Sequence, residues 1–130
     1  MAENIIQLRE RIDAVAKGEA HIESDEQFAF AAGQVIERIH HSSRSGDESY
    51  RYLEPFLAQS DAGQFKMALS NFFKRYKHEV YSNRFRAVCA EVLAYPKSGD
   101  IRKLLPILLA GIFSKSQLFA DKQKVEDQEN

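Results

Sequence analysis

The chain has 130 residues, the size of one domain, and its 44% hydrophobic and 28% charged residues are typical of a folded globular protein. The single cysteine, Cys89, excludes an internal disulfide, and the sequence shows neither a signal-peptide pattern nor an apolar run of the roughly 20 residues that a membrane span requires. We therefore predict a cytoplasmic protein with no membrane partner. The net charge of −1 conceals −5 over residues 1–37 and +5 over residues 38–103, and a basic surface attracts phosphate.

Apolar residues recur at three- and four-residue spacing along most of the chain, and no segment alternates between apolar and polar residues as a half-buried strand does. We therefore predict an all-α fold, a compact bundle of about five or six helices in a single domain over residues 1–120. The polar residues 121–130 are predicted to form a disordered tail. The first helix is predicted from Glu3 to Lys17, with Gly18 placed to end it.

The second helix is predicted to begin after Ser24 and to run to about Ser42. Ser24 can cap the helix while the side chain of Gln27 returns the capping bond. Gly33 lies in the interior of this helix, where glycine costs about 1 kcal/mol relative to alanine. We therefore expect a neighbouring helix to pack closely enough at this point to compensate.

Four further helices are predicted along the rest of the chain. The third is short, and a proline within it predicts a break near Glu54. Asp61 caps the fourth, whose broad aromatic stripe predicts that it is the central helix. The fifth stops before Pro96, and the sixth, over residues 104–111 with Gly111 at its end, is apolar on nearly every side. The apolar side chains expected to point inward from the third helix are Tyr50, Leu53, Phe56 and Leu57.

The most informative run of the sequence is FFKRYKH at residues 72–78, in which aromatic residues alternate with cations. On a helix the aromatic side chains can point inward while the cations share one flank, and such a row can track a phosphate backbone. A solvated helix face with scattered ion pairs explains the same pattern equally well. The candidate nucleic-acid-binding residues are Lys74, Arg75, Lys77, His78, Arg84 and Arg86, with Arg38, Arg44 and Lys66 able to widen the surface.

The sequence contains no catalytic motif. His40 and His41 are adjacent, so on a helix they diverge by about 100° and do not chelate one ion. Glu37 and His41 could share a face, but two ligands do not complete a zinc site. Nucleophile, phosphate-loop and dinucleotide-binding motifs are missing, as is the arginine–histidine spacing of a helical ribonuclease. We therefore predict no enzyme activity, no cofactor and no metal.

Four short strings stand in a particular order: residues 28–35 (FAFAAGQV), 53–57 (LEPFL), 76–78 (YKH) and 108–111 (LLAG). Their order and spacing resemble the C-terminal region of the large subunit of type I-B CRISPR surveillance (Cascade) complexes, and the resemblance covers residues 24–119. That large subunit is several times longer than this chain. The chain therefore resembles the separate small subunit of such a complex.

The resemblance implies an all-helical, non-catalytic subunit that is present in several copies beside the guide RNA–target DNA duplex. It implies a role in stabilising the R-loop and the displaced strand, with the large subunit, the backbone subunits and further copies of the chain as partners. Base pairing reads the sequence in such effectors, and protein reads the backbone. Lys77 and His78 lie in a matched string and carry over as backbone contacts. The alternative is a structural module that stacks on itself and bridges subunits without touching nucleic acid.

Overall fold

The structure is a computed structural model that describes residues 3–43, 50–76 and 81–114. Over these ranges the chain forms helices and no strand, and one isolated bridge pairs Asp61 with Asp100. The predicted all-α fold is confirmed. The helices are α1 (Ile5–Ala16), α2 (Asp25–Ser43), α3 (Glu54–Leu57), α4 (Ala62–Arg75), α5 (Asn83–Ala94) and α6 (Leu105–Phe113), with 3-10 helices at Arg51–Leu53 and Arg102–Leu104.

Some predictions concern the C-terminal end of the chain. The tail predicted at residues 121–130 lies outside the described residues, as do residues 115–120 at the end of the predicted domain. Within the described ranges, none of the helices is long and apolar enough to cross a bilayer.

The ends of the first two helices follow local capping signals. Asn4 caps α1, which therefore begins at Ile5, and Gly18 ends it with a φ of +77°, which glycine adopts without strain. The Ser24 hydroxyl accepts a bond from the Gln27 backbone N–H at 3.1 Å, as predicted. The Gln27 side-chain oxygen accepts a hydrogen bond from the backbone N–H of Glu23 at 2.8 Å. The predicted return bond is therefore made to Glu23 and not to the capping residue Ser24.

The central helix is α2, which packs against α1, α4, α5 and α6. Its large apolar side chains, including Phe28, Phe30 and Ile36, are at most 1% exposed. The prediction that α4 is central is wrong. Although α4 carries the aromatic stripe, Phe72 and Phe73 on its last turns are only half-buried. The reason is that α2 is apolar or small on nearly every side over residues 28–36, whereas α4 is amphipathic and keeps a polar face in solvent.

The backbones of α2 and α6 meet at two glycines. A Cβ atom built on Gly33 would lie 2.2 Å from the Leu108 carbonyl oxygen, and one built on Gly111 would lie 2.2 Å from the Phe30 carbonyl oxygen. The close packing expected at Gly33 is therefore confirmed. The prediction that Gly111 ends the sixth helix is wrong, because this glycine admits the neighbouring backbone while α6 continues to Phe113.

The break predicted near Glu54 is observed, since a 3-10 helix ends at this point and α3 begins with the proline in its first turn. Two of the four side chains expected inward are buried, Leu53 and Phe56. The prediction is wrong for Tyr50, which is 60% exposed, and for Leu57, which is 39% exposed. The α3 helix is a single turn, so only one of its sides can face the core.

Replacement of Gly33 by alanine tests the α2–α6 contact. The new methyl group would overlap backbone atoms of α6, so the helices must separate, and we expect Gly33→Ala to lower the free energy of unfolding by about 3 kcal/mol in urea titrations. Gly63→Ala is the matched control, because the new Cβ there meets only a side-chain oxygen, at 3.0 Å. It should change stability by about 1 kcal/mol or less. A Gly33→Ala variant as stable as the control would contradict the contact.

Candidate nucleic-acid interface

Two of the predicted cations, Lys74 and Arg75, lie in the last turn of α4. Both side chains are exposed, and neither forms an ion pair with any residue that the structure describes. A positive charge at a helix C-terminus interacts favourably with the partial negative charge there. This effect accounts for their position in the fold, and it leaves both charged groups accessible to an anion.

Two further predicted cations, Arg38 and Arg86, contact Tyr81, which is buried between α4 and α5. The Arg38 Cζ atom is 5.7 Å from the centroid of the Tyr81 ring, and Arg86 Nε donates to the Tyr81 carbonyl at 3.3 Å. The Tyr81 hydroxyl donates to the carbonyl of Tyr76, at the end of α4, at 3.1 Å. Arg84 lies half-buried in the first turn of α5. Tyr81 therefore fastens the end of α4 to the start of α5.

Aromatic packing fixes the relative position of the two groups of cations. The Phe73 ring centroid is 5.5 Å from that of Tyr81 and 6.1 Å from that of Phe85. The residue next to Phe73 is Lys74, so the packed ring holds the end of α4 beside the start of α5. We name the surface that results the junction surface, and its described members are Arg38, Lys74, Arg75, Arg84 and Arg86.

The junction surface is basic because acidic residues are concentrated elsewhere. None of the described residues at 72–76 or 81–86 is acidic. Four cations in other parts of the described chain have acidic partners, most of them within residues 1–37. These ion pairs are Arg11–Glu23 at 2.9 Å, Lys17–Asp13 at 3.4 Å, Lys97–Asp25 at 3.4 Å and Arg102–Asp100 at 2.8 Å.

Lys66 has a place inside the fold. Its ammonium group donates to the carbonyl oxygens of Tyr95 and, at 3.2 Å, of Lys97, and it lies 5.7 Å from the centroid of the Phe28 ring. These bonds hold the end of α5 against α4, so we leave Lys66 out of the interface. Three other predicted interface residues lie outside the described part of the chain: Arg44, Lys77 and His78.

The structure also shows a groove of about 500 Å³ beside the junction surface, which the sequence did not predict. The His40 and Tyr52 rings stack in its wall with their centroids 3.6 Å apart. Burial and the nearby charge of Glu37 raise the pKa of Tyr52 to about 12, so its phenol is neutral. The spacing of Asn71 and Arg75 on α4 signals a shared face, but only tertiary structure brings Tyr52 opposite that face.

Among the described residues, few side chains are placed to bind a metal ion or to act as a nucleophile. Those residues contain no cluster of three or more His, Cys, Asp and Glu side chains able to hold a metal ion. Burial raises the pKa of the Cys89 thiol to about 11. Because the thiolate is the reactive form, this thiol is a poor nucleophile near neutral pH.

No protein-family model, curated protein or solved structure matches the chain. The assignment of the interface residues therefore rests on their positions and contacts in the structure.

Lys66 and Lys74 should respond differently to removal of their side chains. Lys66→Ala leaves two backbone carbonyls without their charged donor and should lower the free energy of unfolding by about 2 kcal/mol. Lys74→Ala removes an exposed side chain and should change it by about 0.5 kcal/mol or less. Chemical denaturation of both variants checks the assignment. Equal losses would mean that the two lysines have the same structural role.

Proposed function

We propose that this protein is a non-catalytic helical subunit that contacts the phosphate backbone of nucleic acid through its junction surface. The observation that carries the proposal is that Lys74 and Arg75 are exposed and have no acidic partner among the described residues, at a helix end that packs beside the start of α5, where Arg86 lies. Cations that neutralise phosphates release condensed counterions, and this release drives binding without regard to base sequence. The surface thus supplies charge on a rigid support, which is what backbone contact requires.

The resemblance of residues 24–119 makes the proposal more specific. We propose that the chain is the small subunit of a type I-B CRISPR Cascade complex, present in several copies and working in the cytoplasm. Its partners there are the large subunit, the backbone subunits and further copies of itself. In such an effector the guide RNA reads the target by base pairing, so a subunit beside the R-loop needs to hold backbone and displaced strand rather than to read bases.

An array of copies also fits the small size of the junction surface. A few phosphate contacts bind weakly at physiological salt. When several copies are fixed along one nucleic acid, each further contact becomes intramolecular and the effective concentration rises. The surface of one chain can therefore be weak and still matter in the assembly.

A structural module that bridges subunits is the second candidate. The observation in its favour is the exposure of Ile5 (48%) and Ile6 (66%) on α1, a helix in the acidic part of the chain. The exposed apolar side chains of α1, together with the acidic residues 19–26 that follow this helix, could pack against the basic junction surface of the next copy. In that arrangement protein would cover the cations and nucleic acid would not reach them.

Removal of two charges from the junction surface tests the proposed function. In a reconstituted complex we expect Lys74→Gln/Arg86→Gln to weaken target-DNA binding and R-loop formation. The slope of log affinity against log salt should flatten by about 0.9 for each duplex phosphate that the variant no longer neutralises, or by about 0.7 for each phosphate of a single strand. The measurement is a binding titration of labelled DNA at several salt concentrations.

The matched control is Arg9→Gln/Lys103→Gln, which removes the same charge from exposed positions outside the junction surface. The control complex should bind with nearly the wild-type salt slope. Identical behaviour of the two double variants would show a general charge effect. An unchanged affinity and slope in Lys74→Gln/Arg86→Gln would overturn the assigned surface and favour the structural module.

A further inference from the structure

The groove beside the junction surface has two walls of different origin. Its volume of about 500 Å³ falls within the roughly 300–1,000 Å³ of small-molecule sites. One wall is a single face of α4, on which the lining residues recur three and four positions apart. The other is built from the end of α2, the 3-10 helix and α3. The lining residues used below are His40, Arg51, Tyr52, Asn71, Phe72 and Arg75.

Flat rings line both walls. The His40 and Tyr52 rings are nearly parallel, at an angle of 5° and a centroid distance of 3.6 Å. On the α4 wall the Phe72 ring is held edge-to-face by Tyr76 at 5.5 Å and by the buried Phe56 at 5.4 Å. These contacts fix the rings in the free protein, so a ligand that stacks on them does not have to order them. Heterocyclic bases stack on such surfaces regardless of their identity.

The charged groups in the groove are cationic. Arg51 and Arg75 lie on opposite walls, both exposed, and Asn71 adds an amide that can donate and accept. Among the residues that the structure describes, no acidic side chain lines the groove, and the charge of Glu37 on α2 acts on Tyr52 in its wall. Guanidinium groups match the geometry of phosphate. An aromatic ligand that carries a phosphate therefore fits the lining better than an apolar peptide does.

We infer that the groove binds one unpaired nucleotide of a single-stranded nucleic acid, with its base stacked against the ring walls and its phosphate at Arg75. The inference rests on the proposed function and adds a place where a strand is held by a base as well as by its backbone. A base inside a duplex is stacked on its neighbours and cannot enter. The groove therefore distinguishes single strands from duplexes without reading their sequence.

Tyr52→Leu separates stacking from charge. The probes are a fluorescein-labelled oligothymidine of about 12 nucleotides and a duplex of the same length, titrated with the full chain by anisotropy. The variant should bind the single strand about tenfold more weakly, since it loses a stacking surface. It should keep the salt slope and the duplex affinity of the wild type, because its phosphate contacts remain. Phe113→Leu is the matched control, since Phe113 is an exposed aromatic residue that does not line the groove.

The outcomes separate the groove from the proposed function. If Tyr52→Leu bound the single strand with wild-type affinity, or lost affinity equally for single strand and duplex, nucleotide binding by the groove would be ruled out. The proposed role of the junction surface would be unaffected. A wild-type chain that binds neither probe at about 0.05 M salt would also overturn the groove, while the charge variants in the reconstituted complex decide the function.

A second measurement does not depend on the folding of a variant. Ring proton signals of His40 and Tyr52 are followed by NMR in the wild-type chain during addition of thymidine monophosphate, and separately of inorganic phosphate. The groove predicts shifts of both rings with the nucleotide and smaller or no ring shifts with phosphate. The absence of a ring shift with the nucleotide, or equal shifts with both probes, would overturn it.

Discussion

The contact between Gly33 and Gly111 sets the distance between α2 and α6, the pair of helices with the most extensive contact in the fold. Because neither residue has a side chain, α2 and α6 meet at backbone distance, and a single methyl group at either position would come within 2.2 Å of a carbonyl oxygen. The α2 helix is covered by α6 on this side and by α1, α4 and α5 on others. The free energy lost by placing glycine within a helix is offset by the close packing that it permits.

Both candidate surfaces depend on the last turns of this central helix. Arg38 and His40 are two positions apart, so they point to different sides of α2, about 200° from each other. Arg38 reaches the ring of Tyr81 in the junction surface, and His40 stacks on Tyr52 in the wall of the groove. The buried helix thus connects the apolar core to two adjacent regions of cationic and aromatic side chains.

Local signals allowed much of the fold to be predicted. A cap such as Asp61, which accepts the Gln64 N–H at 3.1 Å, acts over three residues and can be recognised in the sequence. The identity of the central helix could not be recognised, since it depends on which faces meet. Gly111 shows the same limit: a glycine that ends a helix and a glycine that admits a neighbouring backbone look alike until the partner helix is placed.

The candidate site could likewise be predicted from the sequence only in part. The exposure of Lys74 and Arg75 follows from the amphipathic period of α4, and the structure places them as that period predicts. Lys66 has the same charge on the same helix, but backbone carbonyls of a distant segment take up its ammonium group. Charge pattern alone does not separate these cases. The groove could not be predicted because the pairing of His40 with Tyr52 is tertiary.

In the proposed complex the junction surface touches nucleic acid. Photo-crosslinking tests this contact most directly: the complex is reconstituted with guide RNA and target DNA carrying a photoreactive group on one strand at a time, and the crosslinked peptides are identified by mass spectrometry. We expect adducts on this subunit in the peptides that span residues 74–86, from the guide, target or displaced strand. Efficient crosslinking of other subunits with none to this one would contradict the contact.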